Sequence, residues 1–358
     1  MLSQRGKQRV PGPIGRSLAN AVPRSFWLDQ PGAPEPSPAL AGRVTVDLAI
    51  VGGGFTGLWT ALLARERDPS REVVILEART SGWAASGRNG GFCSASLTHG
   101  LANGLERFPR DLPLLERLGE ENLREIGDTV ARYAIDCDFS RTGELSVATA
   151  PWQPFWDYVL VTEPLSAAQL ASLGWRDRRG ACDMGNQFHY FRLTADNRIL
   201  WGGYDAVYYN GGRIRAEHAA RPETYTKLAS HFFATFPQLE GVSFTHAWGG
   251  VIDTCSRFCA FFGTAYRRRL AYTAGYTGLG VGASRFGAQV MLDLLAGTDT
   301  ERTGLAMVTT KPVPFPPEPL RSAVVQLTRS SLARADRNDG RRDVWLRVLD
   351  RLGLGFDS

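Results

Sequence analysis

Three glycines in one short run define the chemistry this chain can support. Gly52, Gly54 and Gly57 stand in Ile50-Val-Gly-Gly-Gly-Phe-Thr-Gly-Leu58, the G-x-G-x-x-G spacing. The first permits a tight turn, the second lets backbone approach a pyrophosphate, and the third lets the next helix pack closely on its strand. Thr56 opens that helix, expected to run to about Arg67, with its N-terminal N–H groups and dipole turned toward phosphates. Glu77 follows Gly57 by twenty positions, after Val73-Val-Ile-Leu76, where a carboxylate can accept hydrogen bonds from ribose hydroxyls. The spacing alone is a weak signal. Strand, glycine turn, helix, strand and acid in register read as a dinucleotide site.

Two other clusters share this character. Ser86-Gly-Arg-Asn-Gly-Gly91 is a small-residue loop just after the acid, with Arg88 and Asn89 able to order it against a cofactor. No flanking strands make it a hairpin turn. Gly275-Tyr-Thr-Gly-Leu-Gly280 is a second glycine turn opening a helix expected over 279–295, again a geometry that stabilises negative charge on a ligand.

The elements that position these residues follow from periodicity. Val46 to Val51 does not alternate with polar residues and reads as a buried parallel strand. Leu115, Leu118, Leu123, Ile126, Val130 and Tyr133 fall at helical spacing. Strands are expected at 142–149, 158–162, 188–193, 199–203 and 244–252, around a helix at 223–236. That succession reads as a mostly antiparallel second domain. The tail offers prolines at 312–319 and then two amphipathic helices, 320–334 and 342–352. The expected division is a connector at 1–45, nucleotide-binding parts at 46–150 and 263–300, a substrate domain at 151–262, and the tail at 301–358.

Composition excludes several classes. Hydrophobic content of 43% and charged content of 22% suit a globular protein. A formal charge of +5, concentrated in arginines near both ends, reads as solvated helix faces rather than nucleic-acid binding. No apolar run reaches membrane-span length, no apolar h-region follows the first basic residues, and five scattered cysteines suggest reduced thiols in a cytoplasm. Cys255 and Cys259 have metal-compatible spacing but no second pair, so no metal is expected. There is no G-x-S-x-G elbow and no His-x-x-x-His array. Tyr190, Tyr204, Trp248 and Tyr276 are candidates for an aromatic substrate pocket, with Trp248 and Tyr276 preferred because they adjoin glycines.

With both glycine turns in view, the chain resembles FAD-dependent oxidoreductases related to D-amino-acid oxidase, glycine oxidase and sarcosine oxidase, and most the gamma-glutamylputrescine-oxidase-like members. Phe26-Trp-Leu-Asp29, the first glycine run, Gly82-Trp-Ala-Ala-Ser-Gly-Arg-Asn-Gly-Gly91, Trp248-Gly-Gly250 and Gly275 to Gly280 carry the resemblance. It implies a doubly wound α/β FAD-binding sheet with a second, mostly antiparallel α+β domain. It implies that Gly52, Gly54, Thr56 and Gly57 hold the pyrophosphate and Glu77 the ribose. Ser86, Gly87, Arg88, Asn89, Gly90 and Gly91 would run along the diphosphate and flavin, and Gly278, Leu279 and Gly280 would face the pyrimidine end of the ring. The substrate implied is a small amine or amino acid. One departure stands out. Where the family has a long stretch, residues 150–156 form a short junction, and only three parallel-type strands, 46–51, 73–76 and 270–274, are found. A doubly wound sheet needs more, and one crossover alone takes about thirty residues. The expectation is an internal deletion with missing strands and lowered FAD affinity. Two alternatives are a cofactor-deficient relative and an NAD-dependent dehydrogenase, the latter disfavoured by the second glycine turn.

Overall fold

A computed structural model of the chain describes residues 12–147, 157–183, 188–203, 207–336, 338 and 341–351. Strand β1 (Leu48–Val51) pairs in parallel with β2 (Val73–Leu76), Leu48 opposite Val73 and Val51 opposite Leu76. The crossover between them is the helix Phe55–Arg67. A six-stranded sheet contains β3 (Glu144–Val147), β4 (Asp157–Thr162), β5 (Gly180–Asp183), β6 (His189–Leu193), β7 (Ile199–Gly203) and β8 (Phe244–Gly250). Its order is β3-β5-β6-β7-β4-β8. Among the described residues its β3–β5 ladder is parallel and its other ladders are antiparallel. The last pair, β9 (Phe261–Ala265) and β10 (Leu270–Ala274), is antiparallel.

The large sheet is buried on both faces at β4, an interior strand that is apolar at every second position on each side. Tyr158 and Leu160 of β4 pack with Leu228 and Phe232 of the helix Pro222–Thr235. Val159 and Val161 pack the other way, with Phe26, Leu200 and Trp248. Near β1 and β2, Leu63 and Ala64 of the first helix meet Ala288 and Leu292 of the helix Gly280–Ala296, over Leu48 and Val73. The helix Leu112–Arg132 packs Leu115 and Leu118 with Phe262, Phe286 and Val290. The two tail helices, Leu320–Asp336 and Val344–Arg351, share Leu332, Ala335 and Leu346.

The result is an α/β fold with a second, mostly antiparallel sheet, but the parallel part is small. Two expectations need correction. The run Val46 to Val51 forms a strand only from Leu48, with Ile50 buried and Val51 88% exposed. Among the described residues it pairs with β2 alone, and it borders a cavity where a further strand was expected. Residues 270–274 form a strand as expected, yet they pair antiparallel with β9 and extend no parallel sheet. Within the described residues, no helix is long and apolar enough to cross a membrane.

Candidate functional site

The first glycine turn is built by close approach. Gly52 sits at φ 103°, a left-handed conformation that favours glycine. A Cβ on Gly57 would overlap the carbonyl oxygen of Gly52, so only glycine lets the helix start this near the end of β1. The helix has no side-chain cap of its own. Ser86 supplies one from the loop, its Oγ accepting the Phe55 N–H at 2.9 Å.

Glu77 directly follows β2 and faces this turn. Its Oε2 accepts the Gly53 N–H at 2.7 Å, and Oε1 accepts the Arg79 N–H and the Trp83 indole N–H, both at 2.9 Å. The Gly53 bond is the main reason the carboxyl sits below its ordinary range and stays ionised. Glu77→Gln leaves a neutral amide whose NH2 cannot accept from these donors. The variant is expected to weaken flavin binding by about 1 kcal/mol, roughly fivefold, in a fluorescence titration. Unchanged affinity would place the ribose contact elsewhere.

The loop after Glu77 is held from several sides. Asn89 closes it on itself, its Nδ2 donating to the Ser86 carbonyl at 2.6 Å and its Oδ1 accepting the Gly91 N–H at 2.8 Å. Arg88 Nε donates to the Trp83 carbonyl at 3.0 Å, and Trp27 Nε1 to the Asn89 carbonyl at 2.7 Å. Trp248 Nε1 donates to the Arg88 carbonyl at 3.0 Å.

The second turn is organised by Asp253. Its Oδ2 accepts the Gly275 N–H at 2.5 Å and its carbonyl the Thr277 N–H at 2.8 Å. Thr56 Oγ1 donates to Tyr276 Oη at 3.1 Å across 220 residues of sequence, which ties the two turns together. Both long helices therefore begin beside the same space.

That space is a cavity of about 1030 Å3, at the top of the usual range for small-molecule sites. Gly52, Gly54, Thr56, Gly57, Ser86, Arg88, Asn89, Gly90, Tyr276, Gly278, Leu279 and Gly280 line it. Glu77, Gly87, Gly91 and Trp248 stand outside the lining. Glu77 is turned to the backbone of its own turn, while Gly87 packs against Leu28 and Gly91 against Arg192. Trp248 is 1% exposed, behind the loop in a core cluster. Of the other aromatic candidates, Tyr190 lines the cavity and Tyr204 lies outside the described residues. The helix starts and the crowded glycines make a cradle that suits a ligand with a pyrophosphate.

Sequence reasoning missed four acids here, Glu144 of β3 among them. Asp253 carries no motif signal. Asp157 and Asp183 reach the cavity from β4 and β5, which pairing alone places there. The Tyr190 hydroxyl donates to Asp157 Oδ2. Burial pushes the Asp157 carboxyl up to about 6, against the opposing effect of the Tyr190 bond. A carboxyl whose folded pKa is raised costs the fold stability once ionised, so this cost is absent below 3.8 and complete above about 6. Asp157→Asn is expected to raise the melting temperature more at pH 8 than at pH 4. A gain that is flat with pH would show an ordinary Asp157.

A family profile described as "FAD dependent oxidoreductase" matches residues 47–157 and 149–294. The chain belongs to this family, whose cofactor is FAD. Gamma-glutamylputrescine oxidoreductase of Escherichia coli K12 is 25% identical over 408 residues, covering 78% of this chain and 90% of that protein. Solved structures with a similar course include L-amino acid deaminase from Proteus vulgaris, with 14% identity, coverage of 75% and 96%, and a TM-score of 0.45. Glycine oxidase from Bacillus cereus gives 12% identity, coverage of 72% and 98%, and a TM-score of 0.42.

Proposed function

We propose that this chain oxidises an amine or amino acid, passing two electrons as hydride from the amine-bearing carbon to FAD. The observation that carries the reading is the Thr56–Tyr276 bond, which brings two helix N-termini to one cavity. When bound, FAD supplies the hydride acceptor. Gly52, Gly54, Thr56 and Gly57 would hold its pyrophosphate, and Ser86 to Asn89 would order the backbone beside it. Gly278 to Gly280 would set backbone N–H groups and a helix dipole toward the end of the ring that gains negative charge. The relative's printed name supports an amine substrate, as do the acids Asp157 and Asp183 in the cavity lining. Five free cysteines support a reducing compartment, the cytoplasm.

The experiment is a visible absorption spectrum of the purified protein, followed by anaerobic addition of amines. A flavin band that bleaches with an amine supports the reading. A band appearing only with nicotinamide, or a flavin that no amine bleaches, rejects it.

A cofactor-deficient relative is the second reading, favoured by the open edge of β1 and its exposed Val51. The comparison supports it as well. The 408 aligned positions take in only 78% of 358 residues, about 280, so some 130 positions of the relative face no residue here. The two family matches meet at 149–157, the expected site of the missing stretch. Absence of any flavin band after incubation with FAD would decide for this reading.

A further inference from the structure

Five consecutive carbonyls in the loop after Glu77 each accept a hydrogen bond from a side chain. Asn89 Nδ2 holds the Ser86 carbonyl from within the loop, at 2.6 Å. The other four donors come from outside it. In the N-terminal connector, Ser25 Oγ donates to the Gly87 carbonyl and Trp27 Nε1 to the Asn89 carbonyl, the latter at 2.7 Å. Trp248 Nε1 of β8 donates to the Arg88 carbonyl at 3.0 Å, and Arg192 Nε of β6 to the Gly90 carbonyl at 3.3 Å. These four residues stand outside the cavity lining, whereas Arg88, Asn89 and Gly90 belong to it. They also brace one another. The Arg192 guanidinium lies over the Trp27 ring, 5.3 Å from its centroid, and Trp27 packs on the cluster of Phe26 and Trp248.

Peptide geometry carries this arrangement over to the amides. In a trans peptide the N–H points opposite to the C=O of the same plane. With the Arg88 carbonyl drawn back to Trp248, the Asn89 N–H faces away from Trp248. With the Asn89 carbonyl drawn back to Trp27, the Gly90 N–H faces away from Trp27. The neighbouring amides are occupied. Gly87 and Arg88 N–H bond to the Ala84 and Ala85 carbonyls at 3.1 Å, and Gly91 N–H to Asn89 Oδ1 at 2.8 Å. Among the described residues, the Asn89 and Gly90 N–H groups have no partner. Two adjacent donors on the cavity wall are thus left for an acceptor oxygen.

We propose that Trp27 and Trp248, with Ser25 and Arg192, are positioning residues for the cofactor. They hold the loop's carbonyls out of the cavity, so that the Asn89 and Gly90 N–H groups donate to an oxygen of bound FAD. The proposal rests on the FAD assignment of this cavity and is independent of which substrate is oxidised. The oxygen belongs to a phosphate or to a ring carbonyl, which accept in the same way. Removing an indole N–H leaves a carbonyl without its donor and its peptide plane free to rotate. A carbonyl turned into the cavity would repel the oxygen that the N–H had bound.

The test is equilibrium dialysis of the full chain against FAD and, separately, against ADP, with a thermal melt of each variant. An imidazole overlays the pyrrole half of an indole, so Trp27→His keeps an N–H near the place of Nε1 while losing the benzo ring. Trp27→Phe keeps more apolar bulk and loses the donor. W27F is expected to weaken FAD roughly fivefold, the size of one hydrogen bond, and W27H to stay within about twofold of wild type. Packing alone would order the pair the other way, since His removes more apolar surface than Phe. The same pair at the more deeply buried Trp248 is expected to repeat the order. An ADP affinity unchanged in W27F assigns the oxygen to the ring, and an equal loss of ADP assigns it to a phosphate. W27F binding FAD like wild type, or W27H binding it less well than W27F, would overturn the proposal. So would a wild type that binds no FAD, because the two donors then lack the oxygen assigned to them. Binding needs no turnover. Affinities in the expected order with a flavin that no amine bleaches therefore reject amine oxidation alone.

Discussion

Gly57→Ala is expected to strip the protein of flavin and lower its melting temperature together. The added Cβ falls on the Gly52 carbonyl, which is backbone and cannot rotate away. Relief must come from moving the Phe55–Arg67 helix off β1. That loosens the contacts of Leu63 and Ala64 with Ala288 and Leu292, and the Thr56–Tyr276 bond with them. Overpacking of this kind costs about 3 kcal/mol, a large share of the roughly 5–15 kcal/mol that holds a domain folded. Gly54→Val separates the two effects. A Cβ on Gly54 meets only Ser86 Oγ, at 3.0 Å, a side chain able to shift. This variant should stay folded while its side chain fills the place a pyrophosphate would take. Flavin-to-protein absorbance and thermal melts on both variants check the pair. Full flavin occupancy in Gly54→Val would dismiss the pyrophosphate assignment.

Inserting the Escherichia coli relative's intervening segment between Thr149 and Asp157 is expected to raise both flavin occupancy and stability. Val51 is 88% exposed, and β1 and β10 both border the same cavity without pairing to each other. An unpaired strand edge with apolar side chains favours aggregation. Strands added there would cover Val51 and supply a wall for the adenine end of the cofactor. Burying about 100 Å2 more apolar surface is worth roughly 2.5 kcal/mol, nearly two decades in affinity. Flavin titration and light scattering of the grafted and ungrafted chains measure the change. If the ungrafted chain is already a stable monomer with one FAD per chain, the small parallel sheet is sufficient and the missing segment is irrelevant to binding.

What the sequence determined by itself was local. Gly52, Gly54 and Gly57 announce a turn because their chemistry is backbone geometry, readable from residue type. The strands Val73–Leu76, Ile199–Gly203 and Leu270–Ala274 form over the residues expected, since short apolar runs between breakers have few alternatives. The Ser86 to Gly91 loop and its ordering by Asn89 were also legible, because both partners of those bonds lie within a few residues. Pairing was not. The partner of β10 is β9, joined through Tyr266, Arg267 and Arg268, all in the left-handed region at φ 51°, 57° and 62°. With no glycine or asparagine there, no hairpin signal reaches the sequence. Burial of β1 depended on neighbours that periodicity cannot count, so an apolar run came out with an exposed valine. Trp248 adjoins glycines like a pocket residue, yet its strand's position in the sheet turns it into the core behind the loop. The meeting of Ser25, Trp27, Arg192 and Trp248 behind that loop was decided only by the tertiary structure. A connector and two strands must converge before four side chains so far apart in sequence can hold the carbonyls of one loop. That convergence is settled by packing of Phe26 with Leu200 and Trp248 rather than by spacing along the chain.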